Sequence, residues 1–221
     1  MITAGIVAGG TGSRMGADIP KQFLELRGKP VIIHTAEVFL KHSKVDKVII
    51  GVHPEWTGYM QELNEKYLNS AAVITSGGAD RNDTIVNIIE CAKRNGASDN
   101  DIMLTHDAVR PFVTERMISD SIAAMDDCII CTTATPATDT IVVSEDGETA
   151  VDFPLRRTMF CVQTPQTFRI GKFMEMLSKI PLEERANITD ACSLFHRNGI
   201  KVRLIKGDSA NIKLTYPSDM K

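Results

Sequence analysis

The chain of 221 residues carries a formal net charge of −3; 43% of its residues are hydrophobic and 24% are charged. This composition suits one globular domain with an ample core, and no segment approaches the roughly 18 consecutive apolar residues that a membrane span requires. The weak negative charge argues against a nucleic-acid partner, so any anion site must be built from local cations.

The first 21 residues contain the motif around which the rest of the chain is organised. An apolar run at residues 2 to 8 predicts a buried strand, which is followed directly by Gly9-Gly10-Thr11-Gly12. Glycines let main-chain N–H groups approach a polyphosphate closely, and a buried strand holds such a turn still. Two cations follow, Arg14 and Lys21, and they suit a clamp on several phosphate oxygens. The stretch therefore predicts a phosphate-binding loop at the end of the first strand of an α/β sheet.

Two common nucleotide-binding motifs do not match this loop. A dinucleotide fingerprint needs a third glycine where the chain has Met15, and a carboxylate after the second strand, where it has Val52 and His53. A Walker-type loop needs Lys-Ser or Lys-Thr after the glycines. A hydride-transfer enzyme and a P-loop ATPase are therefore disfavoured, whereas a glycine-rich turn beside surface cations remains the structural alternative.

Strands and helices alternate along the rest of the chain. Apolar spacing predicts helices that begin at Pro30, at residue 55, after the polar loop at 76 to 82 and after Thr114. Further helices are expected at residues 170 to 180 and 188 to 198. Buried strands are expected at residues 45 to 52, 71 to 75, 101 to 106, 128 to 135 and 201 to 205. The alternation predicts a doubly wound, mostly parallel sheet in a single domain that spans residues 1 to 221.

The alternation breaks between residues 136 and 164. A strand-like segment at residues 140 to 144 precedes the turn Glu145-Asp146-Gly147, and Asp-Gly between extended runs is typical of a hairpin. A hairpin inserted in a doubly wound sheet must bury its apolar face somewhere, and a second subunit is the expected place. Residues 136 to 164 are therefore predicted to form an inserted β-arm that makes a homodimer.

The cysteines and the N-terminus bear on the compartment. Five cysteines, an odd number scattered among apolar residues, fit a reducing cytoplasm. Cys128 and Cys131 spell C-x-x-C, but they fall in a predicted strand, where residues three apart face opposite sides. The N-terminus lacks the basic region of a signal peptide. We therefore expect structural thiols in a cytoplasmic protein.

Three polar clusters follow predicted strands, at residues 9 to 21, 77 to 84 and 106 to 110, and strand ends of this kind share one edge of a parallel sheet. The sequences AGGTGSRMG and PKQFLEL resemble the CTP-dependent cytidylyltransferases that act on polyol phosphates. GGADRN, HDAVRPF and the motif Asn211-Ile212-Lys213 extend the resemblance, which runs from residue 4 to residue 217. It implies a Rossmann-like nucleotidyltransferase fold and a dimer made through the arm.

The resemblance also implies a role for residues in each block. Arg14, Lys21 and Lys213 are expected to be catalytic, by stabilising charge on the phosphates. The implied nucleotide-binding residues are Ala8, Gly9, Gly10, Thr11, Gly12, Gly77, Gly78, Asp80, Arg81 and Thr84. The implied acceptor-binding residues are Asp107, Arg110, Asp139, Thr140 and Arg156, the last three reaching across a dimer, with Arg157 as the alternative to Arg156.

Asp107 is also the candidate metal ligand. A carboxylate at a strand end that faces a polyphosphate is the usual way to hold Mg²⁺, which keeps several waters and takes few protein ligands. We therefore expect Mg²⁺, or another divalent cation, at Asp107. The neighbouring His106 is interpreted as a packing residue, and the segment from Gln163 to Phe168 as a turn that brings the arm back.

The expected reaction is transfer of CMP from CTP to a polyol phosphate with release of pyrophosphate, which requires cations and positioning and no covalent nucleophile. The glycine loop and the next two blocks look closer to enzymes for D-ribitol 5-phosphate, which make CDP-ribitol for teichoic-acid-type wall polymers. The alternative acceptor is 2-C-methyl-D-erythritol 4-phosphate of isoprenoid synthesis. A nucleotide-binding regulatory protein without turnover is the alternative from another class, and the complete charge set argues against it.

Overall fold

The computed structural model describes residues 1–10 and 19–220. In this part of the chain, the strands are β1 (Ile2–Ala8), β2 (Glu25–Leu26), β3 (Lys29–Pro30), β4 (Lys47–Val52), β5 (Val73–Ser76), β6 (Ile102–Asp107), β7 (Ile130–Pro136), β8 (Phe160–Arg169) and β9 (Arg203–Lys206). Seven of them form one sheet with the order β5-β4-β1-β6-β8-β7-β9, and β2 pairs with β3 in a separate ribbon.

The α-helices cover both faces of this sheet. They are α1 (Val31–Lys41), α2 (Thr57–Leu68), α3 (Arg81–Arg94), α4 (Glu115–Ala123), α5 (Ile170–Ser178) and α6 (Ala191–Arg197). One buried cluster joins the sheet to α1, α2 and α4 through residues such as Phe39, Met60 and Ile118. A second cluster joins the opposite face to α3, α5 and α6, with Ile88, Phe173 and Phe195 among its members. The predicted doubly wound architecture is confirmed.

The register of the parallel strands brings their carboxyl ends to one edge. Strand β1 pairs in parallel with β4 on one side and with β6 on the other, and β4 pairs in parallel with β5. Ala8 lies opposite Val52, and Val7 lies opposite Asp107. The polar segments that follow β1, β4, β5 and β6 therefore emerge together, as expected for a ligand site in this class of sheet.

Strand β8 corrects one prediction. The segment from Gln163 to Phe168, interpreted as a turn, lies inside this strand, which runs antiparallel to both β6 and β7. Thr132 on β7 pairs with Gln166 on β8, and Ala134 pairs with Val162. An advance of two residues on β7 thus corresponds to four residues on β8, so β8 bulges at this point. Pro165 cannot donate to a ladder, and proline in a sequence run argues against a strand. Pro165 is accommodated beside this bulge.

The inserted arm is also shorter and less regular than predicted. Strand β7 ends at Pro136 and β8 begins at Phe160, so the sheet already includes part of the predicted range of 136 to 164. Between the two strands, the predicted strand at residues 140 to 144 is absent: one isolated antiparallel bridge joins Val143 to Asp152. Most of the arm is exposed.

Helix α3 sits unusually close to the sheet because two strand residues have no side chain. A Cβ at Gly5 would lie 2.9 Å from Cγ2 of Ile88, and a Cβ at Gly51 would lie 2.9 Å from both Ile88 and Thr84. This close packing brings the N-terminus of α3 to the edge where β1 and β4 end. In the described residues, no helix is both long and apolar enough to cross a membrane.

Candidate active site

A cavity of about 360 Å³ opens at the carboxyl edge of the sheet. Its walls come from the ends of β1 and β6, the start of α3, the turn after residue 20 and the segment near residue 213. The lining residues are Val7, Ala8, Gly9, Gly10, Lys21, Gln22, Gly78, Ala79, Asp80, Arg81, Thr84, Asp107, Ala108, Val109 and Lys213. Segments far apart in the sequence therefore converge on one site.

The turn Lys21–Phe23 forms one wall through three consecutive side chains with different roles. Phe23 is buried in the core beside Trp56, with ring centroids 5.2 Å apart. Gln22 is buried and donates two hydrogen bonds to the glycine loop. Lys21 lines the cavity, and its Nζ donates to the Leu214 carbonyl at 3.0 Å. The core anchor thus fixes the position from which Lys21 enters the site.

The start of α3 forms the opposite wall. Asp80 caps the helix by accepting from the N–H of Asp83 at 2.9 Å. Thr84 Oγ1 donates to the Asp80 carbonyl at 2.8 Å and accepts from the Gly78 N–H at 3.0 Å. Gly9 faces the same hydroxyl, because a Cβ there would lie 2.9 Å from Thr84 Oγ1. Thr84 therefore holds the capping loop and the glycine loop in a fixed relation.

Asp107, at the end of β6, lies among three cations. Its carboxylate accepts from Arg81 Nη1 at 2.5 Å and from Arg110 Nε at 3.3 Å, and Lys213 Nζ lies 3.1 Å away. Burial raises the pKa of this carboxyl, but attraction to Arg81, Lys213 and Arg110 outweighs burial and holds the pKa well below its usual range. Asp107 is thus ionised at neutral pH and keeps the cations in place.

A buried network behind Asp107 fixes the loop that follows it. The Asp107 N–H donates to Thr164 Oγ1 at 3.1 Å, and the same hydroxyl lies 3.0 Å from His106 Nδ1. His106 Nε2 lies 3.1 Å from the Arg110 carbonyl. Burial lowers the pKa of His106 to about 4, so its ring is neutral at pH 7. Its interpretation as a packing residue agrees with these contacts.

Arg110 and Asn211 extend this network to the segment that carries Lys213. Arg110 Nη1 donates to the Asn211 carbonyl at 2.7 Å, and Asn211 Nδ2 donates to the Thr164 carbonyl at 3.0 Å. Asn211 is fully buried. The segment is therefore tied to both β6 and β8, two residues before Lys213.

The structure gathers most of the sequence-predicted site residues in this cavity. The predicted residues that line it are Ala8, Gly9, Gly10, Lys21, Gly78, Asp80, Arg81, Thr84, Asp107 and Lys213. Gly77 does not line it; its N–H donates to the Val52 carbonyl at 2.6 Å. Arg110 braces Asp107 from behind. Thr11, Gly12 and Arg14 lie outside the described residues.

The arm residues do not reach this cavity within one chain. Asp139, Thr140, Arg156 and Arg157 are exposed, and Arg156 Nη1 donates to the Thr138 carbonyl at 3.3 Å. Their expected role across a dimer remains a prediction.

Sequence reasoning did not identify Gln22, Thr164 or Asn211 as parts of the site. Gln22 is adjacent to the selected Lys21, and Asn211 lies two residues before the selected Lys213. Thr164 carried no such signal, because its role depends on the unrecognised strand β8.

The described residues offer few ligands for a metal ion. They contain no group of three or more His, Cys, Asp or Glu side chains placed to hold one. Asp80 and Asp107 are the carboxylates that line the cavity within this part of the chain. Mg²⁺ is commonly bound through one or two carboxylates together with the phosphates of a substrate, and this donor set fits that mode.

A glycine loop, a capped helix start and convergent cations at the carboxyl edge of a doubly wound sheet define an α/β nucleotidyltransferase. Residues 2–221 match the family model described as IspD, 2-C-methyl-D-erythritol 4-phosphate cytidylyltransferase. The chain belongs to this cytidylyltransferase family.

The comparisons with individual proteins agree with that assignment. A ribitol-5-phosphate cytidylyltransferase of Streptococcus pneumoniae serotype 2 is 44% identical over 226 residues, which cover 100% of this chain and 96% of the relative. A solved 4-diphosphocytidyl-2C-methyl-D-erythritol synthase is 28% identical and superposes with a TM-score of 0.82, covering 99% of this chain and 94% of that one. The Francisella tularensis 2-C-methyl-D-erythritol 4-phosphate cytidylyltransferase is 25% identical, with a TM-score of 0.81 and coverage of 99% and 96%.

Proposed function

We propose that this protein transfers CMP from CTP to D-ribitol 5-phosphate, giving CDP-ribitol and pyrophosphate. The observation that carries the proposal is the single cavity in which the glycine loop, Lys21, Arg81, Asp107 and Lys213 meet. A buried donor adds to it: Arg81 Nε has no hydrogen-bond partner among the described residues, although its side chain lies at the cavity wall. A phosphate or ribose oxygen would supply the missing acceptor.

The choice of acceptor depends on the relatives. Ribitol-5-phosphate cytidylyltransferases that are 44% identical over the whole chain support D-ribitol 5-phosphate. The family model and the solved structures, whose names refer to methylerythritol, favour 2-C-methyl-D-erythritol 4-phosphate as the second candidate. The higher sequence identity decides for ribitol.

In the proposed reaction, an oxygen of the acceptor's phosphate attacks the α-phosphorus of CTP. The bond from that phosphorus to the bridging oxygen of the β-phosphate breaks, and pyrophosphate leaves with the electron pair. Negative charge grows on the phosphate oxygens, and fixed cations stabilise such charge more than mobile water does. Lys21 and Lys213 are the lysines at the cavity wall in the described chain, and Arg14 is the third proposed catalytic cation.

We further propose that Mg²⁺ binds together with CTP and that Asp107 would hold it. When bound, the ion would neutralise part of the triphosphate charge. Asp107 already pairs with Arg81, Arg110 and Lys213, so a metal ion at this carboxylate would displace at least one of these cations. The cations that leave Asp107 then become available to the phosphates.

The arm supports a homodimer in which it completes the acceptor site. Large apolar side chains are exposed on the arm and at the start of β8, namely Val142, Val143, Val151, Phe153, Leu155, Phe160 and Val162. Such a concentration marks a protein interface. Arg156 lies next to Leu155, so an arm laid on a second subunit would carry a cation for an acceptor phosphate.

The free cysteines also fit the proposed cytoplasmic location.

The test of this function is a pair of parallel incubations. The protein is mixed with CTP and Mg²⁺, with D-ribitol 5-phosphate in one reaction and 2-C-methyl-D-erythritol 4-phosphate in the other. Pyrophosphate release gives the rate, and mass spectrometry identifies the nucleotide product. We expect CDP-ribitol, with at least tenfold higher kcat/KM for ribitol phosphate, about 1.4 kcal/mol of discrimination.

The other outcomes separate the alternatives. Faster turnover of methylerythritol phosphate would transfer the assignment to that acceptor. CTP binding without pyrophosphate release from either acceptor would instead support a nucleotide-binding regulatory protein.

A further inference from the structure

Gln22 ties two carbonyl groups of the glycine loop to the turn that carries Lys21. Its side chain is 2% exposed, and its Nε2 donates to the Ala8 carbonyl at 2.9 Å and to the Gly10 carbonyl at 3.0 Å. Both N–H groups of one carboxamide are thus committed to the same loop. Two carbonyls, two residues apart, are held at the spacing that a single NH₂ group allows.

These bonds orient donors as well as acceptors. A trans peptide group is planar, and its C=O and N–H point in opposite directions. Fixing the Ala8 carbonyl on Gln22 therefore fixes the direction of the Gly9 N–H. Glycine has no Cβ to limit its backbone, so Gly9 and Gly10 could otherwise adopt many conformations. The two hydrogen bonds from Gln22 restrict that freedom at residues 8 to 10 before a ligand arrives.

The hydrogen bond to Gly10 indicates more than ordinary core satisfaction. Ala8 is buried, and its carbonyl needs a partner inside the protein. Gly10 is exposed, so water could satisfy its carbonyl. The hydrogen bond from the buried Gln22 is therefore not needed to solvate the Gly10 carbonyl. Its effect is to hold Gly10 in a fixed position relative to Gln22.

We propose that Gln22 is a positioning residue that holds the start of the phosphate-binding loop, residues 8 to 10, in place and sets it in register with Lys21. The inference rests on the proposed function, because it assigns the loop to the phosphates of CTP. Gln22 does not donate to the substrate, since both of its donors point at the loop. It orients the Gly9 N–H, and it fixes the position of the adjacent Lys21 relative to the loop. Phe23 anchors the same turn in the core.

The test compares two buried glutamines. Gln22→Met keeps the length of the side chain and removes both donors. Gln166→Met is the matched control: Gln166 is 1% exposed, donates to Asp190 Oδ2 at 2.7 Å and accepts from the Ala191 N–H at 3.2 Å, outside the cavity. Each variant loses one buried and one partly buried hydrogen bond, so their melting temperatures report the shared structural cost.

Calorimetry then measures binding of CTP and of inorganic tripolyphosphate to each protein. Hydrogen bonds to charged groups are stronger than those between neutral groups, so a misdirected donor should weaken binding of both ligands roughly tenfold or more in Gln22→Met. Gln166→Met should bind both like the wild type. In turnover, KM for CTP should rise in Gln22→Met while KM for the acceptor stays constant. Gln22→Asn keeps the donors at shorter reach and should fall in between.

The outcomes separate this inference from the proposed function. Wild-type affinity in Gln22→Met, or an equal loss in Gln166→Met, overturns the positioning role. If Gln22→Met does not fold, the same comparison is decided by Gln22→Asn. Tripolyphosphate binding needs no turnover, so a protein that binds it through Gln22 but releases no pyrophosphate contradicts the proposed function alone. A wild type that binds neither ligand contradicts both.

Discussion

Asp107 occupies the centre of the site as a counter-charge for three cations. Like charges brought together without a ligand repel one another, and a buried carboxylate among them removes that cost. Arg81 and Lys213 therefore stay at the cavity wall when no substrate is bound. A phosphate that draws Arg81 or Lys213 toward itself competes with Asp107 for that cation.

Removing the cation of Lys213 should slow turnover strongly and leave the fold intact. The side chain is 41% exposed, and Asp107 keeps Arg81 and Arg110 as partners without it. We expect Lys213→Ala to lower kcat about 10²–10³-fold, the loss typical of a donor that stabilises developing charge. Lys21→Ala should act similarly. Pyrophosphate release and circular dichroism measure the two effects.

The control for this prediction is Lys206→Ala, which removes an exposed lysine on β9 away from the cavity. Near-normal turnover in Lys213→Ala would contradict the role given to that lysine.

His106 should make the protein sensitive to mild acid. Its folded-state pKa is about 4 against an ordinary value of 6.5, so between these values only the unfolded state binds the proton. The free energy of unfolding therefore falls as the pH drops from 6.5 toward 4, by on the order of 3 kcal/mol. In His106→Asn this loss should largely disappear. Urea unfolding at pH 7, 6, 5 and 4.5 measures it.

The comparison for His106 is His196→Asn, because His196 is exposed on α6. If both variants keep the wild-type pH dependence, another group is responsible for the acid sensitivity.

At the scale of single elements, the start of helix α3 lines the cavity that we propose binds the nucleotide. Gly5 and Gly51 let it approach the sheet, and Gly78 lets the preceding loop pass beneath its first turn. A Cβ at Gly78 would lie 2.1 Å from the Cβ of Asp83, a separation that real atoms do not reach. The loop and the helix must therefore move apart if position 78 carries a side chain.

Gly78→Ala should consequently damage the site more than the fold as a whole. The loop that Asp80 and Thr84 hold would shift, and we expect CTP affinity to fall at least tenfold. Calorimetry measures the affinity and thermal unfolding the stability. The matched substitution is Gly58→Ala in α2, where nothing lies within 4 Å of the new Cβ. It should raise stability by about 0.5–1 kcal/mol and leave CTP binding unchanged; equal affinities in the two variants would refute the packing argument.

The sequence predicted elements well where one local signal dominated. Continuous apolar runs identified β1, β4 and β6, and Thr114 caps α4 as expected, accepting from the Met117 N–H at 3.3 Å. It failed for β8, whose pairing with β6 and β7 is decided by residues distant in the chain. The same limit applies to the site: single charged residues stood out, whereas Gln22 and Thr164 act only through contacts that folding creates.

At the scale of the whole molecule, two surfaces differ from the average. The net charge is −3, yet the cavity collects Lys21, Arg81 and Lys213, so attraction for a triphosphate is local and not a property of the overall field. The second surface is the arm, which exposes large apolar side chains where β7 ends and β8 begins. We expect the two surfaces to meet in a dimer.

Mixing two inactive variants should show directly whether the arm of one subunit reaches the cavity of its partner. If Arg156 serves the partner's cavity, Arg156→Ala and Lys213→Ala subunits complement each other, because a hybrid dimer has one site with both residues. Unfolding and refolding an equal mixture should restore about a quarter of wild-type turnover, since half of the dimers are hybrids with one intact site each. Activity that stays at the level of the separate variants would mean that Arg156 acts within its own subunit or not at all. Sedimentation equilibrium verifies the dimer.

The place where the arm leaves and rejoins the sheet has a consequence for how such enzymes diversify. Pro136 and Phe160 are paired neighbours, so the 23 residues between them begin and end at one point of the scaffold. A replacement segment of different length or chemistry could be grafted there without disturbing any strand that supports the triphosphate cavity. On the proposed assignment of the arm to the acceptor, exchanging this segment would change which sugar alcohol the enzyme takes and leave the nucleotide chemistry unchanged.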